Sequence, residues 1–300
     1  DSKAGALGGG IYTNHNINYN NLTFINNTAN SGGGLYWDKS SVTIQNIKFI
    51  NNTASENGGA VYVPQNNTKV MNNNFTNNSA LNGGAIYVGA SNVVITKNNF
   101  TNNSAERGGA IYTSNKVIGG SISSSYFNQN RADYGGAIYA GSLGDENTHI
   151  PISDCTFIKN VANFNGGAVY VANSYYDITS GYFEGNNASN GGAVYVATGL
   201  SGIKIKDSTF KNSYVSKDGG AIYHAGPDLT LTIENDTFIQ NIARYNGGAI
   251  LYVTTAMKYR DYNNFDTRGV ITSGRTDVDS IDGTHFIVSS LFENNSDYIF

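Results

Sequence analysis

Gly83-Gly84-Ala85-Ile86-Tyr87 decides the fold, because versions of this stretch recur ten times along the 300-residue chain. The tenth copy, Gly247-Gly248-Ala249-Ile250-Leu251, replaces tyrosine with leucine, and nine copies end in a tyrosine: Tyr12, Tyr36, Tyr62, Tyr87, Tyr112, Tyr139, Tyr170, Tyr195 and Tyr223. Successive tyrosines are 24 to 31 residues apart. A fixed period of this length is typical of a solenoid in which each repeat forms one coil.

A second motif lies between the glycine motifs at a constant spacing. Ile95, Phe100, Asn103 and Ala105 illustrate its pattern, Ile-x4-Phe-x2-Asn-x-Ala. Each unit therefore contains three short apolar runs bounded by Gly, Asn or Ser, which predict three strands and three turns. The sequence thus predicts an all-β fold, a parallel β-helix or solenoid of about ten three-stranded coils of about 25 residues.

Stacking of the coils predicts where each recurring residue lies. Coils of a β-helix are ~4.8 Å apart, so equivalent side chains stack directly on one another. We expect the Phe, Ile, Val and Ala positions inside and the tyrosines in an outer column with their hydroxyls in water. The recurring Asn is expected to turn a sharp corner in the left-handed conformation and to pass amide hydrogen bonds along the stack. The Gly pair indicates a tight turn or a close backbone neighbour.

Variation in repeat length is confined to the segment between the Tyr and the next Ile. Longer loops are expected at 113–120, 140–149, 198–202 and 224–228. Insertions at one point of a repeat build loops on one face, which is often the binding face.

The repeats divide the chain into three parts. A β-helix repeat domain is expected over residues 1–253, an irregular charged cap or flap over 254–286, and a final partial coil over 287–300. The first glycine motif lacks a preceding Phe, and the last Phe lacks a following glycine motif. We expect subunits to stack head to tail into a filament or sheath, or the chain to be an adhesin segment of a larger surface protein. The residues expected at the stacking contact are Gly8, Gly9, Gly10, Ile11, Tyr12, Phe292 and Asn295.

The paired motifs Phe75-Thr76-Asn77-Asn78 and Gly83-Gly84-Ala85-Ile86 resemble the repeats of the chlamydial polymorphic membrane proteins. They are also similar to repeats in adhesin-like surface proteins of methanogenic archaea. The resemblance covers nearly all of residues 8–252 and resumes at 287–296. It implies right-handed β-helices displayed on the cell surface as adhesins or surface-layer material, and hence a structural or adhesive extracellular protein.

Composition and charge restrict the class of function. Charged residues are only 13% and the net charge is −4, which argues against a nucleic-acid partner. Apolar runs are too short for the ~18–20 residues of a transmembrane segment. A polysaccharide lyase or hydrolase is the alternative, but such enzymes need converging carboxylates, whereas the acidic residues of the repeats are scattered. We therefore predict no enzymatic activity and no cofactor.

The one acidic cluster, Asp277, Asp279 and Asp282, offers closely spaced oxygen ligands for Ca²⁺. Its spacing departs from the EF-hand loop, so a solvated capping loop is the alternative interpretation. Cys155, the only cysteine, is expected to be a small, inert residue, and Trp37 to pack rather than to bind sugar.

Asn-x-Ser/Thr sequons are abundant and bunch before residue 104, which favours an extracellular glycoprotein and a cell-surface or glycan partner. The acceptor positions are Asn21, Asn26, Asn51, Asn66, Asn74, Asn77, Asn99, Asn102, Asn187, Asn235 and Asn294.

Overall fold

The computed structural model describes residues 2–15, 21–114, 118–141, 149–172, 175–197, 202–225, 231–252, 274–280 and 285–297. Within these ranges every regular element is a β-strand, and the strands of successive repeats pair in parallel and in register. The predicted parallel β-helix is confirmed. Each coil carries up to four short strands rather than three, because the Asn-x-Ala segment also pairs with its equivalent in the next coil.

The glycine motifs form one face of the solenoid, which we call the glycine face. It is a ten-stranded parallel sheet with one strand from each motif. Its strands are Ile11–Thr13, Leu35–Trp37, Val61–Val63, Ile86–Val88, Ile111–Thr113, Ile138–Ala140, Val169–Val171, Val194–Val196, Ile222–His224 and Ile250–Tyr252.

A second face contains two strands from each coil, one centred on the aliphatic residue and one on the Phe. The aliphatic strands are Thr43–Gln45, Lys69–Met71, Val93–Thr96, Gly120–Ser123, Ile150–Ser153, Tyr175–Thr179, Gly202–Lys206 and Leu231–Glu234. The phenylalanine strands are Thr23–Ile25, Lys48–Ile50, Asn74–Thr76, Asn99–Thr101, Tyr126–Asn128, Thr156–Ile158, Tyr182–Glu184, Thr209–Lys211 and Thr237–Ile239. His285–Glu293 pairs in parallel with the last strand of both sets.

The third face is built from the alanine strands. They are Thr28–Ser31, Thr53–Asn57, Arg131–Tyr134, Val161–Asn165, Asn187–Ala188, Tyr214–Val215, Ile242–Ala243 and Ser296–Asp297. One further strand, Gly274–Ser280, pairs antiparallel with His285–Glu293 and lies inside the segment expected to be irregular. Most other residues of 254–286 lie outside the described residues.

Asparagine columns determine where each coil bends, but in a different way from that expected. The Asn three residues after each Phe is buried and is not left-handed; the residue before it is, as Asn77 (φ 56°) precedes Asn78. That neighbour turns the corner, so its side chain points out and need not be Asn. Gln129 (φ 56°) and Lys159 (φ 53°) occupy the position in later coils.

The buried Asn forms a continuous ladder along the helix axis. Asn78 donates from its backbone N–H and its Nδ2 to Oδ1 of Asn103, at 2.9 and 3.0 Å. Its Nδ2 also donates to the carbonyl of Phe49 at 3.0 Å. Each side-chain amide therefore forms hydrogen bonds with backbone groups that lack a sheet partner at the corner. Buried polar groups need such hydrogen-bond partners.

The interior is filled by columns of identical side chains. Phe rings of successive coils stack nearly parallel, with centroids 4.9 Å apart between Phe75 and Phe100. The Ile or Val of the glycine motif is buried, as Ile86 shows, so the predicted inward direction is confirmed. The column continues to Phe292, which stacks on Phe238 at 4.8 Å.

The two glycines of each motif are required for different reasons. Gly83 lies at φ 65°, a left-handed conformation that glycine adopts without steric cost. Gly84 has an ordinary φ, but a Cβ there would collide with the carbonyl oxygen of Gly109 in the next coil. Both parts of the expectation, the tight turn and the close neighbour, are confirmed.

Candidate functional surfaces

The tyrosines form a column along the outside of the glycine face. Rings of successive coils stack with centroids 4.8 Å apart for Tyr62 and Tyr87, and 5.2 Å apart for Tyr170 and Tyr195. The rings are half-buried, and desolvation by burial raises the pKa of Tyr87 and of Tyr195 to about 12. The outward direction is confirmed, but burial withdraws much of each hydroxyl from water. The column is therefore chiefly a packing feature.

A groove runs along the corner between the aliphatic and phenylalanine strands of four successive coils. We call it the corner groove. It encloses about 550 Å³, and its lining includes Asn46, Lys48, Asn72, Lys97, Asn99 and Tyr126. Four of its corner residues are left-handed: Asn46 (φ 56°), Asn72 (φ 56°), Lys97 (φ 55°) and Ser124 (φ 47°). Since a left-handed residue directs its side chain away from the core here, these polar groups line an exposed channel parallel to the helix axis.

The wall of the corner groove is a column of four residues in register. Lys48 is paired with Asn74, Asn74 with Asn99, and Asn99 with Tyr126. All four alternate with buried Phe residues and so lie on the outer surface of the sheet. This column could not be recognised from a repeated residue type, because its members share none. Aligning the outward positions of successive coils would have revealed it.

The N-terminal end of the solenoid contains more of a coil than the sequence indicated. Lys3 pairs in parallel with Thr28, and the backbone N–H of Thr28 donates to the carbonyl of Ser2 at 2.8 Å. Thr53 makes the same bond to Asn27, so Ser2 occupies the position of a ladder Asn. Residues before Gly8 thus take an alanine-strand position.

This arrangement bears on the expected stacking of one copy on another, which stays a prediction. At the other end of the chain, Ser296–Asp297 pairs with Ile242–Ala243 and also occupies an alanine-strand position. Filling the first coil with Phe292 to Ser296 of a second copy would therefore place Ser296 where Lys3 lies. Two of the expected stacking residues, Gly10 and Ile11, line a depression of about 520 Å³ together with Phe24.

The sequon asparagines lie on the outer surface. Asn74 is half-buried and the other ten are exposed. Asn26, Asn51, Asn77, Asn102 and Asn294 are left-handed corner residues, and so are Asn21 and Asn235 at the other corner. This placement leaves acceptor amides sterically accessible and keeps the adjacent ladder amides buried.

The predicted metal cluster cannot be assembled from the described residues. Asp277 and Asp279 lie on strand Gly274–Ser280, described for its backbone only, and Asp282 lies outside the described residues. Elsewhere in the described part of the chain, no group of three metal-ligating side chains occurs. The calcium site stays a prediction.

Two single residues behave as expected. Cys155 is buried, its Sγ donates to the carbonyl of Ser153 at 3.3 Å, and burial raises its pKa to about 12. A thiol with such a pKa is protonated and unreactive at neutral pH. Trp37 is buried, with its Nε1–H donating to the carbonyl of His15 at 3.0 Å, which confirms a packing role.

The expected loops at 113–120, 140–149, 198–202 and 224–228 fall largely outside the described residues, so their role as a binding face stays a prediction. Across the described ranges, no helix is long and apolar enough to span a membrane.

Comparison with known proteins identifies the repeats. Six segments match the Chlamydia polymorphic membrane protein repeat: residues 21–36, 46–64, 74–89, 99–114, 124–141 and 154–172. Each segment contains one phenylalanine strand, one ladder Asn and one glycine motif. Neither a curated protein nor a solved structure matches the chain.

Proposed function

Because the chain carries repeats of the Chlamydia polymorphic membrane protein type on a β-solenoid, we propose that it is a non-enzymatic, cell-surface adhesin-like protein. The observation that carries the proposal is the run of six matching repeats, each of which forms one coil of a single stacked column. A stiff column with polar, sequon-rich outer faces suits a protein that extends from a cell and presents a side surface to a partner.

Several carboxylates support a structural rather than a catalytic interpretation. Asp38 accepts a hydrogen bond from Gln65 Nε2 at 2.7 Å, and Asp133 accepts one from Asn163 Nδ2 at 2.6 Å. Asp207 accepts one from Asn235 Nδ2 at 2.6 Å. Each of these bonds joins neighbouring coils. They tie the carboxylates to amides along the surface, whereas glycoside hydrolysis needs two carboxyl groups facing one bond.

Two experiments test the proposal. Antibodies raised against the chain should label intact cells of the source organism, and beads coated with the chain should adhere to glycan-bearing animal cells more than albumin-coated beads do. Labelling only after permeabilisation would contradict surface display. Turnover of acidic or neutral polysaccharides, followed as released reducing ends or unsaturated products, would contradict the non-enzymatic role.

Association of copies end to end is a second candidate, favoured by the depression beside Phe24. In such a contact, Ser296 of one copy would occupy the place of Lys3 in the next, so Ser2–Ala4 must first move aside. A variant lacking residues 1–4 should therefore form longer assemblies than the full chain in negative-stain images. Monomers of both forms at high concentration would refute the association.

A further inference from the structure

We propose that the corner groove binds an acidic polysaccharide that lies along the helix axis. Only the biological use of this binding rests on the proposed adhesive function. Charge, hydrogen-bond donors and shape support it independently.

Charge distinguishes this part of the solenoid from the rest. Lys48, Lys69 and Lys97 are exposed on the same face, and none forms an ion pair with another described residue. Between residues 43 and 128 the aliphatic and phenylalanine strands and the corner between them contain no Asp or Glu. The chain as a whole is acidic, with a net charge of −4, so the groove is a local site of positive potential.

The later coils of the same face show the opposite arrangement. Lys206 Nζ lies 2.9 Å from Glu234 Oε1, and His149 Nδ1 lies 2.7 Å from Asp177 Oδ1. Lys206 and Glu234 are paired with each other there, whereas Lys48 and Lys97 of the corner groove are paired with no described residue. An anionic ligand is therefore expected at coils that contain Lys48 and Lys97, and not further along.

The groove also offers hydrogen-bond donors. Asn74 Oδ1 accepts the hydroxyl of Thr76 at 3.2 Å, and Asn99 Oδ1 accepts that of Thr101 at 3.1 Å. Their oxygens are thus engaged, which leaves their Nδ2 groups as the donors of these exposed or half-exposed side chains. Carboxylate, sulfate and sugar hydroxyl oxygens all accept such bonds.

The shape of the groove favours an extended ligand. Lys48 and Tyr126 stand three coils apart, which at the β-helix spacing is ~14 Å. The Tyr126 side chain is 37% exposed and offers an aromatic face at the end of the column. A sugar ring can stack on such a face while its substituents reach the amides and lysines. An oligosaccharide matches this length and this mixture of groups better than a single sugar or a free anion.

The test measures binding of the whole chain to three immobilised polysaccharides. Heparin carries sulfates and uronates, polygalacturonate carries uronates only, and dextran is neutral. We expect binding to at least one acidic polymer and none to dextran, with affinity falling as salt screens the charges. Binding of heparin alone would specify sulfate as the recognised group. Absence of binding to both acidic polymers at low salt would overturn the proposal.

Charge-neutral variants locate the site. Lys48→Gln with Lys97→Gln should weaken binding by at least ~10-fold, which corresponds to ~1.4 kcal/mol. Lys211→Gln with Lys159→Gln removes the same charge from a phenylalanine strand and a left-handed corner outside the groove, so it should change affinity less than twofold. Equal losses in both pairs would refute the groove and indicate non-specific attraction. Tyr126→Ala should weaken binding without changing its salt dependence.

The two proposals fail in different ways. If the chain labels the cell surface and coated beads adhere, but acidic polysaccharides do not bind, only the groove assignment is wrong. If acidic polysaccharides bind through Lys48 and Lys97 but the chain is found only inside cells, only the proposed function is wrong.

Discussion

Asn130 and Asn160 are joined by two hydrogen bonds to one atom: the backbone N–H and the Nδ2 of Asn130 both donate to Oδ1 of Asn160 at 3.0 Å. The same Nδ2 also donates to the carbonyl of Phe100 at 3.0 Å. The bonds join three successive coils at a corner where the backbone N–H of Asn130 has a side-chain oxygen, not a carbonyl, as its acceptor. The stacking of the coils therefore depends on a side-chain ladder as well as on the sheets.

Replacing a ladder Asn should be costly. Asn130→Ala removes the Nδ2 bonds to Asn160 and Phe100 but keeps the backbone N–H bond to Asn160. It also leaves the Nδ2 and N–H donors of Asn103 without the Asn130 acceptor. Unpaired buried polar groups each cost ~1–3 kcal/mol, so we expect a loss of about 3–5 kcal/mol in the free energy of unfolding measured with urea. Asn128→Ala, on the outer surface of the adjacent strand, is the control and should change it by less than ~0.5 kcal/mol. Similar effects for both variants would contradict a structural ladder.

The ladder is interrupted at one coil, which suggests a stabilising change. Ser213 stands at the Asn position, its buried Oγ has no hydrogen-bond partner, and Asn186 donates to no amide there. Val215 replaces the usual Ala two residues on and fills part of the space. The pair Ser213→Asn with Val215→Ala restores the repeat, and we expect a gain of ~1–2 kcal/mol from the recovered bonds. Ser213→Asn alone should gain less, because the larger side chain meets Val215. A destabilised double variant would show that the interruption is not a defect of the ladder.

Asp236 should make stability depend on pH. It is buried where other coils place Asn73 and Asn98, and it accepts hydrogen bonds from the backbone N–H groups of Ser208 and Glu234. Burial raises its pKa from 3.8 to about 8. Because the folded state holds the proton more tightly than the unfolded state, this carboxyl stabilises the fold at low pH, and that contribution is lost as pH rises toward 8.

Asp236→Asn removes this titration. The variant should be more stable than the parent near neutral pH by ~2 kcal/mol or more, since each unit of pKa difference is worth ~1.4 kcal/mol, and the advantage should disappear near pH 4. Asp154→Asn, which changes an exposed corner carboxyl three coils away, serves as the control. A difference in melting temperature that is independent of pH would rule out titration of Asp236 as its cause.

The second glycine of each motif should tolerate no side chain. Gly84→Ala places a methyl group against the Gly109 carbonyl, which would separate two coils, so we expect loss of several kcal/mol or failure to fold. Gly5→Ala is the control, because a Cβ there meets nothing within 4 Å. Equal thermal stability of the two variants would contradict the close approach of neighbouring coils.

The solenoid could be predicted from the sequence because its repeats carry identical residues at one spacing. Stacked Phe residues and stacked Ile residues each recur at a regular spacing in the sequence, and the columns that this spacing predicts are present. At the corner, the sequence did not show which residue forms the ladder and which is left-handed. The two are adjacent and often both Asn, as in Asn77-Asn78. Later coils separate the two roles, since Lys159 precedes Asn160 and only the second position requires an amide.

Surface features were harder to predict for a physical reason. Outward side chains are not selected to stack, so Lys48, Asn74, Asn99 and Tyr126 differ in type although they are register partners. Their proximity follows only from the pairing of strands. The alanine-strand position of Ser2-Lys3-Ala4 was missed for a similar reason, because this segment pairs like Asn27-Thr28-Ala29 without its Asn.

The most direct test of the central claim, that this surface solenoid presents its corner groove to an acidic glycan, is a crystal structure of the chain with a sulfated oligosaccharide. We expect the oligosaccharide to lie parallel to the helix axis, with anionic groups beside Lys48 and Lys97 and a sugar ring on Tyr126. An oligosaccharide bound to the glycine face or at the end of the solenoid, with the corner groove empty, would contradict the claim.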